Sequence, residues 1–217
     1  KFSAIDSQGR YRLSNQPGIA HWNTSVLASC LLRVLNEEED KAIAFAQAVI
    51  DEFPRWYTEA YKARMAAKLG LDAFREDDTA LLDNFLQTLE NDSLDLTLAY
   101  RWLTHEALED SHHTPIHQLF TPSDSLLAWR TEWTRRRATN KALSDELNAR
   151  MVSANPVVIP RNHQVAAAIA DAEVRDYGHL EQAFQRWQTP FVWADNDLLW
   201  AATPDASERV TRTFCGT

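Results

Sequence analysis

The sequence predicts an all-α fold, and three observations support that prediction. Apolar residues recur at three- and four-residue spacing along most of the chain, whereas alternating apolar runs are scarce. The 217 residues include only five glycines and eight prolines, too few for the turns of a many-stranded sheet. Residues that cap or end helices stand at the borders of the apolar segments.

The first predicted helix begins at Trp22, after an irregular segment over residues 1–21. Its apolar residues share one face, which we expect to be buried: Trp22, Val26, Leu27, Leu31, Val34 and Leu35. The acidic residues from Glu37 to Asp40 suit the amino end of a second helix, where the helix dipole favours negative charge.

The later elements are predicted from breaking and capping residues. Pro54 is expected to begin a new helical segment that ends at Gly70, in the position typical of a C′ glycine. Asp77 and Asp78 are predicted to cap the next helix. Further helices are predicted over 94–108, 123–138, 140–152, 162–174 and 178–187. Residues 110–124 and 188–217 are predicted to be irregular.

The organisation predicted from these elements is one helical domain over 22–217 that follows the irregular residues 1–21. The 110–124 loop is the weakest point of that domain. The opening Lys1-Phe2-Ser3-Ala4 has neither an initiator methionine nor a helix cap, and we expect it to follow a longer segment.

Composition narrows the function classes. No apolar run approaches the ~20 residues of a membrane helix, and no signal segment opens the chain, so no membrane partner is expected. Two cysteines do not build a disulfide-rich secreted domain, and a cytoplasmic location is expected. The net charge of −9 makes general nucleic-acid binding unfavourable.

Two histidine patterns raise the question of a metal site. His105-Glu106-x-x-Glu109 has glutamate where a zinc-protease helix needs its second histidine. The cluster His112, His113 and His117, with Asp110 nearby, lies in a segment broken by Pro115. A solvent-exposed polar loop is the favoured interpretation, and no metal ligand is predicted.

Trp129 and Trp133, followed by Arg135-Arg136-Arg137, interleave aromatic and basic groups as single-strand binders do. An amphipathic helix with both tryptophans in the core explains the same pattern. The second interpretation is favoured because the chain is acidic overall.

Asn155-Pro156 and Arg161-Asn162 flank a turn between two predicted helices. Proline pushes the residue before it out of the helical region, and Asn162 stands where an N-cap would begin the following helix. Arg161 would either face an anion at that helix end or form an internal ion pair. The ion pair is favoured.

No catalytic or cofactor-binding residue is predicted in this chain. It contains no Gly-x-Ser-x-Gly elbow, no glycine-rich phosphate loop and no catalytic-loop His-Arg-Asp. Cys30 lies among the apolar residues of the first helix and is expected to be shielded. Cys215, in a tail without apolar periodicity, is expected to be an accessible thiol and is the redox candidate.

Several separated motifs occur in an order that resembles the carboxy-terminal part of a known family. They are Gly9-Arg10-Tyr11, Asn15-Gln16-Pro17, Trp22-Asn23, Lys68-Leu69-Gly70-Leu71, Asn155-Pro156-x-x-Ile159-Pro160-Arg161-Asn162-His163 and the terminal Phe214-Cys215-Gly216-Thr217. The family is the selenoprotein O-like (YdiU) family of kinase-like protein AMP-transferases. The resemblance runs from about residue 6 to the last residue.

The resemblance implies the helical carboxy-terminal region of a protein-kinase-like fold. It implies a nucleotidyltransferase activity, AMPylation, in which the full-length protein transfers AMP from ATP to Ser, Thr or Tyr hydroxyls of proteins, with Mg or Mn. The family's ATP-binding and catalytic residues would precede residue 1, so the fragment alone is expected to be inactive and to hold no cofactor. Its expected partners are protein substrates and its own amino-terminal catalytic lobe.

An alternative is a non-catalytic helical scaffold or protein-binding module, which would follow if the upstream residues were degenerate, as in a pseudokinase. The family's partner for the terminal cysteine aligns with Phe2. The resemblance therefore implies that Cys215 stays a free thiol.

Overall fold

A computed structural model describes residues 4–108, 115–194 and 197–210, and every regular element in those ranges is helical. The all-α prediction is confirmed. The α-helices are α1 (Gln16–Leu35), α2 (Glu39–Leu69), α3 (Asp78–Asn91), α4 (Leu96–Leu108), α5 (Ile116–Leu119), α6 (Asp124–Arg137), α7 (Ser144–Ala154), α8 (Asn162–Glu173), α9 (Gly178–Trp187) and α10 (Asp197–Ala201). Across these ranges no helix combines the length and apolar character that crossing a bilayer requires.

The described chain forms two compact units, and the boundary between them lies inside α2. One unit comprises residues 4–61 and the other residues 62–210. The single domain predicted over 22–217, with its weak point at 110–124, stays a prediction. A helix of 31 residues is about 46 Å long, longer than the ~30 Å diameter of a small domain.

The first helix begins at Gln16, so the prediction of irregular structure up to residue 21 is wrong at its end. Pro17 lies in the first turn, where its missing N–H costs nothing and its fixed φ suits the helix. The predicted burial of the apolar face is also wrong, since α1 contains no buried residue. Trp22 is 52% exposed and Val34 is 81% exposed.

Helix α2 continues through Pro54, contrary to the predicted break. Side-chain interactions on both sides of the proline support the helix there. Arg55 pairs with Glu52 at 2.6 Å and with Glu59 at 3.0 Å. The rings of Phe53, Tyr57 and Tyr61 stack along the same stretch with centroids 6.1–6.2 Å apart. Contacts at i,i+3 and i,i+4 support the helix where the backbone is weakest.

Helix α2 ends as predicted, at a C′ glycine. Gly70 has φ +66°, and the Leu71 N–H donates to the Ala66 carbonyl at 2.8 Å, the pattern of a Schellman motif. A Cβ on Gly70 would stand 2.5 Å from the Met151 sulfur. The glycine therefore permits both the left-handed turn and the close approach of α7.

The core of the second unit is built from apolar residues of several helices. Fully buried side chains include Leu69, Phe85, Leu98, Trp102, Leu126, Trp133, Leu147 and Met151. Helix α3 starts at Asp78, and the predicted cap Asp77 makes no side-chain cap bond. The Asp78 carboxylate instead accepts from the Arg75 N–H and pairs with Arg136 at 2.6 Å.

A second cluster lies towards the carboxy-terminal end of this unit. It contains Val157, Val158, Ala183, Trp200 and Ala201, with Leu119, Trp187 and Trp193 packed against it. The irregular structure predicted over 188–217 is interrupted by α10, which carries two of these residues. The ion pair between Arg186 and Asp197 holds α10 against α9.

Candidate functional site

Asn155 is the centre of a buried junction between three helices. It follows the last residue of α7 in an extended conformation, as expected for a residue before proline, and is 0% exposed. Its side-chain amide donates to the Lys68 carbonyl oxygen and to the Thr104 hydroxyl, each at 2.9 Å. Asn155 thus ties the carboxyl ends of α2 and α7 to α4.

Lys68 returns a contact to the same place. Its Nζ donates to the Ala154 carbonyl at 2.9 Å and to Asn155 Oδ1 at 3.2 Å, and lies 4.6 Å from the centre of the Tyr100 ring. Burial, together with the nearby Arg64 charge, lowers the pKa of Lys68 below its ordinary value. A cation at the carboxyl end of α7 also interacts favourably with the helix dipole.

Arg101 is the fourth polar residue at this junction, after Asn155, Thr104 and Lys68. It is 5% exposed, donates to the Asn155 carbonyl at 3.3 Å and lies 5.7 Å from the centre of the Trp193 ring. Burial lowers the pKa of Arg101 to about 10, so the guanidinium stays charged at neutral pH. Two cations therefore contact Asn155.

Arg161 forms the internal ion pair that was the favoured interpretation. Its guanidinium donates to both carboxylate oxygens of Asp95, at 2.8 and 3.1 Å. Burial alone would raise the pKa of Asp95, but hydrogen bonds from Arg161 and the Leu98 N–H outweigh it and hold that pKa below its ordinary value. The predicted N-cap is wrong: Asn162 is the first residue of α8, and Arg161 occupies the cap position without a side-chain cap bond.

The amino-terminal motif residues meet in one turn of the first unit. The Asp6 carboxylate accepts from the Arg10 and Tyr11 backbone N–H groups at 2.8 and 3.1 Å. Two amides close the turn, because Asn15 donates to the Gly9 carbonyl and Gln16 to the Tyr11 carbonyl. Arg10 lies 4.9 Å from the centre of the Trp22 ring, and Gly9 has φ +67°. Asn23 is exposed on α1.

The histidine cluster is only partly described. Asp110, His112 and His113 lie outside the described residues, as does Glu109. The Nε2 atoms of His105 and His117 lie 2.9 Å apart. Within the described ranges no group of three or more metal-binding side chains is found.

The tryptophans of α6 belong to the core, as the favoured interpretation predicted. Trp129 is 6% exposed and Trp133 2% exposed, and their indole N–H groups donate to the Leu81 and Leu69 carbonyl oxygens. Neither ring is accessible as a stacking platform for a nucleic-acid base.

The prediction for Cys30 is wrong. Cys30 is an exposed free thiol on α1, because the apolar face around it is not covered in this chain. Cys215 lies outside the described residues, and its accessibility stays a prediction.

Sequence reasoning identified Asn155 and Lys68 as motif residues but missed Arg101 and Trp193. One signal for Arg101 was available. It interrupts the run Leu98-Ala99-Tyr100-Arg101-Trp102-Leu103, all of which is buried. A charged residue inside a wholly buried helix segment requires a partner.

Comparison with known proteins finds relatives that are named protein nucleotidyltransferases. The chain is 38% identical to "Protein nucleotidyltransferase YdiU" of Agrobacterium fabrum, with all of this chain and 44% of that protein covered. It is 37% identical to the protein of that name from Rhodopseudomonas palustris (44% covered) and 38% identical to the one from Anoxybacillus flavithermus (43% covered), again over the whole of this chain.

The family model described as "Protein adenylyltransferase SelO" matches residues 2–188, and the chain belongs to that family. The chain spans less than half the length of the curated relatives it matches.

Proposed function

We propose that this chain is the helical carboxy-terminal part of a protein adenylyltransferase that acts on Ser, Thr or Tyr hydroxyls of proteins. The acceptor oxygen attacks the α-phosphorus of ATP, the α–β phosphoanhydride bond breaks, and pyrophosphate leaves. Mg or Mn would neutralise the triphosphate and orient it for in-line attack. Family membership over residues 2–188 supports this chemistry. With two cysteines the chain suits a reducing compartment, and we propose a cytoplasmic location.

The observation that carries the chain's role is the placement of the motif residues. Asn155 joins helix ends, Arg161 is neutralised by Asp95, and Gly70 allows α7 to approach α2. These contacts stabilise the helical scaffold. We therefore propose that the fragment alone is inactive and supports the catalytic lobe of the longer protein.

The exposed face of α1 supports such a contact. Large apolar side chains at helical spacing are left uncovered: Trp22, Val26, Leu27, Leu31, Val34 and Leu35. Apolar patches of this kind mark interaction surfaces. The relatives contain more than half of their length outside the matched region. We propose that the amino-terminal catalytic lobe covers this face.

The test uses ATP labelled at either the α- or the γ-phosphate. The whole gene product, with Mg or Mn, should transfer the α-label to acceptor proteins and not the γ-label, and EDTA should abolish transfer. The 217-residue chain should transfer neither. Transfer of the γ-label to an acceptor protein would indicate phosphoryl transfer and contradict the proposal.

A non-catalytic scaffold or protein-binding module is the second candidate, and the exposed α1 face favours it equally. Failure of the whole gene product to transfer either label, together with stable binding of a partner protein, would support this second candidate. The upstream gene provides a simple check, since a kinase-like set of Lys, Glu and Asp is expected only for the enzyme.

A further inference from the structure

Three arginines of the second unit are more than nine-tenths buried: Arg101, Arg161 and Arg186 are 5%, 8% and 9% exposed. Arg161 holds the Asp95 carboxylate, and Arg186 holds that of Asp197. In the part of the chain that the structure describes, Arg101 has no carboxylate within ion-pair distance. The two paired arginines show how this fold ordinarily compensates a buried guanidinium.

The contacts that Arg101 does make do not balance its charge. A guanidinium has five N–H donors, and the described hydrogen bond from Arg101 goes to the neutral carbonyl of Asn155 at 3.3 Å. The Trp193 ring supplies a weak cation–π contact at 5.7 Å. An uncompensated buried charge is strongly unfavourable, so the absence of an anion requires an explanation.

Two neighbours of Arg101 indicate the same missing group. The Trp193 Nε1 is buried and has no hydrogen-bond partner within the described ranges. Lys68, on the side-chain oxygen of Asn155, likewise donates hydrogen bonds only to neutral oxygen acceptors in those ranges. Two cations therefore contact Asn155, and the Trp193 ring lies against one of them, without an anionic acceptor for these groups among the described residues.

We propose that Arg101 and Trp193 bind a phosphate group beside Asn155, with Lys68 as the second neutralising cation. A phosphate group carries ~1.5–2 negative charges near pH 7, which matches two cations better than one carboxylate does. The planar guanidinium donates two parallel bonds to such a group. Inorganic phosphate and the phosphoryl group of a nucleotide present the same chemistry.

Binding is measured on the 217-residue chain by titration with inorganic phosphate, followed by ³¹P NMR line width at constant ionic strength. Arg101→Met should weaken binding by about tenfold or more, the effect of losing a charge-assisted bond. Trp193→Phe keeps the ring, removes the N–H and should weaken binding severalfold. Arg150→Gln, at an exposed arginine paired with Glu146, should leave binding unchanged. Equal binding by the wild-type chain and Arg101→Met would overturn the proposal.

Stability without phosphate gives an independent readout. Because Arg101→Met removes an uncompensated cation, the unfolding midpoint in phosphate-free buffer should equal or exceed that of the wild-type chain. Arg161→Met should lower the unfolding midpoint, since it leaves the partly buried Asp95 carboxylate without its ion-pair partner. Addition of phosphate should raise the unfolding midpoint of the wild-type chain but not that of Arg101→Met. If Arg101→Met lowered the unfolding midpoint as much as Arg161→Met does, Arg101 would have a counter-charge within the chain, and the proposal would be overturned.

Competition identifies the source of the phosphate group. Displacement of phosphate by AMP or ATP, lost in Arg101→Met, would assign the site to a nucleotide phosphoryl group. Phosphate binding without displacement would assign it to the inorganic ion. Phosphate binding to the 217-residue chain but not to the whole gene product would place an acidic group of the longer protein against Arg101 and overturn the proposal.

Discussion

The side-chain amide of Asn155 donates to the backbone carbonyl of Lys68 at 2.9 Å, across 87 residues of sequence. The carbonyl belongs to the last turn of α2, where no helical N–H remains to satisfy it. A single buried side chain thus satisfies a carbonyl at the carboxyl end of α2 and fixes the carboxyl end of α7 beside it.

Asn155→Ala should destabilise the second unit by about 2–4 kcal/mol, because it leaves the Lys68 carbonyl and the Thr104 hydroxyl without their donor in a buried site. Urea unfolding followed by circular dichroism measures the change. Asn23→Ala, at an exposed motif residue, serves as the matched control and should change stability by less than about 0.5 kcal/mol. Equal effects of the two substitutions would contradict the assigned role.

Gly70→Ala should lower the free energy of unfolding by about 1–3 kcal/mol, since alanine is strained at φ +66° and its Cβ would clash with the Met151 sulfur. Gly18→Ala is the matched control, because Gly18 lies in α1 and a methyl group added there would have no neighbour within 4 Å. That change should stabilise by about 0.5–1 kcal/mol. The same unfolding measurement compares them, and a neutral Gly70→Ala would refute the close approach.

The ion pair between Arg161 and Asp95 should make stability depend on pH. The folded pKa of Asp95 is depressed, so its contribution is present above the ordinary pKa of about 3.9 and is lost as pH falls through the lower folded pKa. Asp95→Asn should lower the free energy of unfolding at neutral pH and make the acid decline shallower. Unfolding midpoints from neutral to acidic pH measure this. Asp83→Asn, at an exposed position, should retain the wild-type decline, and an unchanged decline in Asp95→Asn would contradict the prediction.

Cys30 should react with a thiol reagent in the folded 217-residue chain, because it is exposed. It follows Trp22 and Val26 at four-residue intervals, on the apolar face of α1. If the catalytic lobe covers that face, labelling of Cys30 should be markedly slower in the whole gene product. Peptide mapping locates the label, and Cys30→Ser is the control. Equally fast labelling in both proteins would count against the proposed contact.

Local chemistry made much of the fold predictable. The α6 boundaries follow from the Ser123 cap, and the end of α2 follows from Gly70. The continuity of α2 through Pro54 was not predictable from proline's local effect, because ion pairs and stacked rings on adjacent turns support the helix there. The exposure of α1 was missed for another reason, since helical periodicity shows that a face is apolar but not what covers it.

The polar junction was predictable only in part. Asn155-Pro156 marked a turn, and the interpretation of Arg161 as half of an internal ion pair was confirmed by Asp95. The contacts of Asn155 with Lys68 and Arg101 join positions 54 to 87 residues apart. Such contacts depend on how the helices pack, and they cannot be predicted from the spacing of residues along the chain.

The position of Asn155 late in the sequence has a consequence during synthesis. Ribosomes add ~5–20 residues per second, so several seconds separate the appearance of Lys68 from that of its partner. Throughout that interval the carboxyl end of α2 lacks the donor that completes it. Residues 62–154 are therefore synthesised before the asparagine that satisfies the end of α2, and the packing of that helix end is completed only when Asn155 has been added.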